Sequence, residues 1–185
     1  MSLKLTLNSD SHLDFAFGKV IKGKEMQVFQ EYSPAIAPAL SDCGIQPLRP
    51  FAVLATNTSG PTPEQGAFTQ VSSTENFARF HSDPRFLELK PLRDDGMEFL
   101  TDGNLFRSTQ AEIGLEAETD YAVIINDGNP YSSAPILELS ATEESPNQTY
   151  AGKSLALHIW NEEAEQLMKA GQAEVFRIRF FPENM

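Results

Sequence analysis

A chain of 185 residues that is 41% hydrophobic, with 13 phenylalanines, carries enough apolar side chain to fill a core and reads as globular. Its 26 acidic residues against 14 basic ones, a net charge of −12, oppose capture of phosphate backbones or anionic lipid, so neither nucleic acid nor a membrane surface is expected as a partner. The one cysteine, Cys43, excludes an internal disulfide and a cluster of thiolate metal ligands, and no metal is expected. A cytoplasmic location follows as an expectation, because the opening residues lack the unbroken apolar run of a signal peptide and no stretch is long enough to span a bilayer.

Leu13, Phe15 and Phe17 alternate with Asp14, Ala16 and Gly18, the period of two that suits a half-buried strand. After Gly23, the residues Met26, Phe29, Tyr32, Ile36, Leu40 and Cys43 recur at helical spacing, and Gly44 is placed to end the helix. Pro34 and Pro38 fall inside it, so a kink or a restart capped by Ser33 is expected. Residues 45–56 read as a strand whose first half, with Pro47 and Pro50, suits an edge or an irregular stretch. A loop over 57–66 and a short strand over 67–72 lead to a helix capped by Ser73 or Thr74, then to a second helix restarted at Asp83-Pro84. Gly96 closes that helix before a strand over 97–102.

The remainder is a shorter echo of this order. Residues 121–126 and 135–140 read as strands joined through the turn Asp127-Gly128-Asn129-Pro130. A third strand runs over 153–160, Asn161 caps a helix closed by Gly171, and residues 173–181 form the last strand. The expected fold is therefore α+β: a ferredoxin-like βαββαβ half over 1–108 and a shortened βββαβ half over 109–185.

The order strand, helix, two strands, followed by Phe77-Ala78-Arg79-Phe80, Ser82-Asp83-Pro84-Arg85-Phe86, Arg93 and another strand, resembles the dimeric α/β-barrel superfamily that includes antibiotic-biosynthesis monooxygenase-like proteins. The resemblance spans residues 13–106. It implies two ferredoxin-like units packed sheet against sheet into a barrel, with small organic ligands in the cleft between sheet and helices. The partner unit would come from a homodimer or from the second half of the same chain. It also implies monooxygenase-like or isomerase-like chemistry that needs no cofactor.

Alternation over 153–160 puts Leu155, Leu157 and Ile159 toward the following helix and His158 and Trp160 on the far face, where Arg177 and Arg179 of the last strand join them. An imidazole, an indole and two guanidiniums suit an anionic aromatic ligand, with His158 as the catalytic proton carrier and Trp160, Arg177 and Arg179 as its binding groups. The alternative pairs both arginines with Glu98 and Asp102 in a salt-bridge layer between the halves. His81, at the break between two helices, is a further ligand-binding candidate; its plainer role is a hydrogen bond at a helix end. His12 and Asp14 share a strand face, where a carboxylate orients an imidazole. Signatures of serine hydrolases, zincins and dinucleotide enzymes are missing from the sequence. Two functions remain: a binder or converter of a small aromatic or anionic molecule, and a non-catalytic protein whose barrel serves self-association.

Overall fold

The computed structural model describes residues 2–128 and 130–182; Asn129, read as part of a turn, lies outside the described residues. The structure is mixed α+β, with eleven strands and four α-helices among the described residues. Strand β2 (His12–Val20) leads through a π-helical turn (Gln27–Tyr32) into α1 (Ser33–Asp42), β3 (Ile45–Thr56) and β4 (Gln65–Val71). Helices α2 (Thr74–Ser82) and α3 (Pro84–Gly96) precede β5 (Met97–Thr101) and β6 (Leu105–Arg107). After β7 (Ala111–Glu116) come β8 (Asp120–Asn126), β9 (Leu137–Ser140), β10 (Ser154–Ile159), α4 (Glu162–Ala170) and β11 (Glu174–Phe180).

Most element ends have a local cause. Ser73 Oγ accepts the Asn76 N–H at 3.1 Å and Asp83 Oδ1 accepts the Arg85 N–H at 2.9 Å, so the polar side chains at α2 and α3 satisfy amides that a helix leaves open. Pro84 stands in the first turn of α3, where its missing N–H costs nothing. Asn161 caps α4 in the same way, and Gly171 ends it in the left-handed conformation at φ 66°. α1 starts at Ser33 as the restart would have it, but Ser33 does not cap it. A π-helical turn carries the chain into α1 without interruption, the Ser33 hydroxyl donates to the Val28 carbonyl at 2.7 Å, and Pro34 and Pro38 both lie within α1.

The main sheet is antiparallel, in the order β5-β2-β4-β3-β11-β8-β10-β9, and β6 pairs with β2 beyond the end of β5. The segment after β9 meets β6: Phe106 bridges Ala141, and the Thr142 N–H donates to the Leu105 carbonyl at 2.8 Å. The expected edge character of early β3 holds, since β11 pairs only with residues 51–56. A separate ribbon, β1 (Ser2–Leu7) with β7, adds to the expected elements; in β1 Leu3, Leu5 and Leu7 alternate with Lys4 and Thr6. Its Leu3, Leu5, Leu7, Ile113 and Leu115 join Phe15, Phe51, Phe68, Phe106 and Phe176 in one buried cluster on the helix-free face. Phe15 lies 5.1 to 5.8 Å, centroid to centroid, from Phe17, Phe51, Phe68 and Phe176, within the range of favourable aromatic pairs. The other face packs on helices in two smaller clusters, one under α1 to α3 and one under α4. Among the described residues, no helix is long and apolar enough to cross a membrane.

Candidate functional site

Each half carries a polar cluster on its helix-bearing face. In the second half, β8 lies between β10 and β11, so His158 and Arg177 flank Ala122 in one row, while Asp120 faces Arg179 in the next. His158, Trp160, Arg177 and Arg179 do share a face, but it is the face under α4 and not the far one. Leu155, Leu157, Phe176, Ile178 and Phe180 point the other way, into the phenylalanine cluster. The reason is volume. The enclosed face takes the large apolar side chains, whereas short α4 buries chiefly Ala164 and Leu167 against Ala122, Ile124 and Val175.

The arginines are paired, though with neither Glu98 nor Asp102. Arg177 Nε donates to Asp120 Oδ2 and Arg179 Nε to Asp120 Oδ1, each at 2.7 Å. Burial raises the Asp120 pKa, but the two guanidinium hydrogen bonds outweigh it and hold the carboxyl below its ordinary value. Arg177 also lies over the Trp160 ring at 5.0 Å. His158 is 3% exposed, stacked on Tyr131 at 3.8 Å between centroids, and its Nε2 has no hydrogen-bond partner among the described residues. Burial pushes its pKa down, so it stands neutral and closed off near pH 7. Glu98, the other acid expected in the salt-bridge layer, pairs with Lys19.

The first half gathers a different set. The chain breaks between β5 and β6 at Asp102-Gly103-Asn104, with Gly103 at φ 75°, a conformation that glycine takes without strain. There the Asp102 carboxylate faces His81 Nε2 at 3.7 Å, while His81 Nδ1 is fixed on the Phe77 carbonyl at 3.0 Å, one turn back in α2. Burial lowers the His81 pKa, but Asp102 and the Phe77 carbonyl together hold it above the ordinary histidine value. Behind them on β2 sits Asp14, 4% exposed, with one carboxyl oxygen lacking a partner among the described residues. Its pKa is pushed up to about 8, first by burial and then by the neighbouring Asp102 charge, against the Gly103 and Asn104 N–H groups and His81. The Asn104 side chain is also buried and unpartnered. Buried polar atoms without partners are rare enough in native folds to mark this break as a place to look for function.

A groove of about 510 Å3 opens here, lined by Phe77, Ala78, His81, Asp102, Gly103, Pro146, Asn147 and Gln148. Of the expected catalytic and ligand-binding residues, His81 alone lines it. The expected His12–Asp14 pair does not form: His12 Nδ1 bonds Thr142 Oγ1 at 2.8 Å, and Asp14 turns to the β5–β6 break. The signal for Asp14 was a carboxylate inside an otherwise apolar strand, and for Asp102 its place before a glycine at a strand end. Among the described residues, no group of three or more His, Cys, Asp or Glu is placed to hold a metal ion. No protein-family model matches the chain, and no curated protein matches it.

Proposed function

We propose that the chain is a single-chain counterpart of the dimeric α/β barrels that binds a small organic molecule in the groove beside His81 and moves a proton on it. The strand order supports the fold half of this reading. Numbered along the βαββαβ unit, β5-β2-β4-β3 is fourth, first, third, second, the ferredoxin-like order, and β11-β8-β10-β9 repeats it without a helix between β8 and β9 among the described residues. The Phe106–Ala141 bridge closes the run, so the second half takes the place a partner subunit would occupy.

One observation carries the functional half: His81, anchored through Nδ1, turns Nε2 to a carboxylate in the wall of a groove of about 510 Å3. Ligand pockets commonly begin at about 300 Å3. The fitting chemistry is isomerase-like. Nε2 takes a proton from one atom of the ligand and returns it to another, so the atoms balance without a co-reactant or cofactor. Monooxygenase-like chemistry would begin with the same deprotonation. His158, Trp160, Arg177 and Arg179 lose weight as the ligand site, because Asp120 takes both guanidiniums and Tyr131 covers the imidazole.

The filled interior favours a second reading, a non-catalytic protein built for interaction, since no ligand space is needed where the phenylalanines meet. An NMR titration with a panel of small aromatic compounds separates the two. Saturable shifts confined to groove residues such as His81, Phe77 and Gly103 support the ligand site; a panel that moves no groove resonance supports the second reading.

A further inference from the structure

We infer that the groove beside α2 takes a small organic cation, an amine on a flat apolar body, whose ammonium sits on the Asp102 carboxylate in place of the His81 imidazolium. This rests on the groove being a ligand site and names the charge class of the ligand. Most polar groups of the lining are already engaged. The Gly103 carbonyl accepts from Ser145 Oγ at 2.6 Å and from the Asn147 N–H at 3.0 Å. The Asn147 amide donates to the Asp102 carbonyl at 3.2 Å, and its oxygen accepts from the Thr149 hydroxyl at 2.7 Å. The Gln148 amide is spent on the Glu143 and Ser145 carbonyls.

The Asp102 carboxylate remains. Its ion partner among the described residues is His81 Nε2 at 3.7 Å, too long for a good hydrogen bond, and its side chain keeps 35% of its exposure. It offers acceptor capacity to an N–H donor, while Phe77, Ala78 and Pro146 offer apolar surface to the body that carries it. A cation there meets favourable charge, and an anion meets Asp102 head on. The other ionisable groups around His81 and Asp102 do not reverse this. Asp14 from β2 is a second carboxyl, free to ionise toward a bound cation. Arg93 from α3 is held by Asp94 at 2.8 Å and lies over Phe86, and Tyr32, ahead of α1, is neutral, its pKa raised by burial.

The imidazolium and the ligand compete for one carboxylate, so binding expels a proton. The affinity for an amine therefore rises with pH through the titration of His81, by up to about tenfold per unit, and Asp14 adds in the same sense. Anion binding would run the other way, taking up protons and weakening as pH rises.

The test is calorimetry and NMR on the full chain with three probes of one shape, benzylamine, benzyl alcohol and benzoate, at pH 6 and pH 8 in two buffers of different ionisation heat. Benzylamine binding best, more tightly at pH 8 and with proton release, is the expected result. Asp102→Asn should weaken it about tenfold or more, the loss of a charge-assisted contact. His81→Ala should raise its pH 6 affinity toward the pH 8 value. Preference for benzoate, or benzylamine binding unchanged in Asp102→Asn, overturns the charge assignment while leaving the groove a ligand site. Silence from all three probes overturns both.

Discussion

Asp14 shows how a single side chain couples this fold to pH. Between the ordinary carboxyl value of 3.8 and its folded value of about 8, the native state keeps a proton that the unfolded chain has lost. Stability contributed by the neutral form is therefore lost as pH rises through that window, with a slope of up to about 1.4 kcal/mol per unit. His81, raised as well, acts in the same sense. His12 and His158 are pushed down by burial and act in the opposite sense, because the native state binds fewer protons than the unfolded one. Asp14→Asn keeps the shape and removes the titration. Urea unfolding should find the variant more stable than the parent at pH 8, with the difference shrinking or reversing at pH 4; equal stability at both values would contradict a buried, proton-holding Asp14.

At the scale of elements, α4 is the clearest case of one residue serving two structures. Asn161 Oδ1 accepts the Ala164 N–H at 3.1 Å, which starts the helix, and the Tyr131 hydroxyl at 2.7 Å, which holds the Tyr131 ring over His158. Asn161→Ala should cost about 1 to 2 kcal/mol from the cap alone. It should also speed solvent exchange at the His158 ring, measured by NMR; an unchanged ring would mean that stacking on Tyr131 suffices to cover it. The ribbon β1–β7 depends on neighbours in another way. Its five apolar residues are buried only because the phenylalanine face of the main sheet receives them, since a two-stranded ribbon by itself is marginal in water.

For the whole molecule, ladders cross position 108 twice, β1 with β7 and β3 with β11, and Phe15 of β2 touches Phe176 of β11. The halves share one apolar cluster, so neither can open without exposing it. Trp160, the one tryptophan, should report the same urea midpoint as far-UV circular dichroism; two separated midpoints would show independent halves. If the second half stands in for a partner subunit, as proposed, sedimentation at micromolar concentration should give a monomer; a dimer would contradict that reading.

Periodicity and punctuation were local properties, and for that reason they were legible. The strands starting at His12, Ile45, Met97 and Ser154, the caps Ser73, Asp83 and Asn161, and the end at Gly171 follow from side-chain alternation and from which residues satisfy open helix amides. The sequence by itself thus determined most of the elements and their order, though not β1, β6, β7 or the π-helical turn. Only the tertiary structure decided which face of β10 and β11 is inside, because alternation defines two faces without saying which one the larger apolar volume will claim. It also decided that Asp120 takes the arginines and that Asp14, His81 and Asp102 meet. Those partners stand 57 and 59 residues apart in one case and 67, 21 and 88 in the other, and strand pairing together with the packing of α2, not spacing along the chain, brings them together.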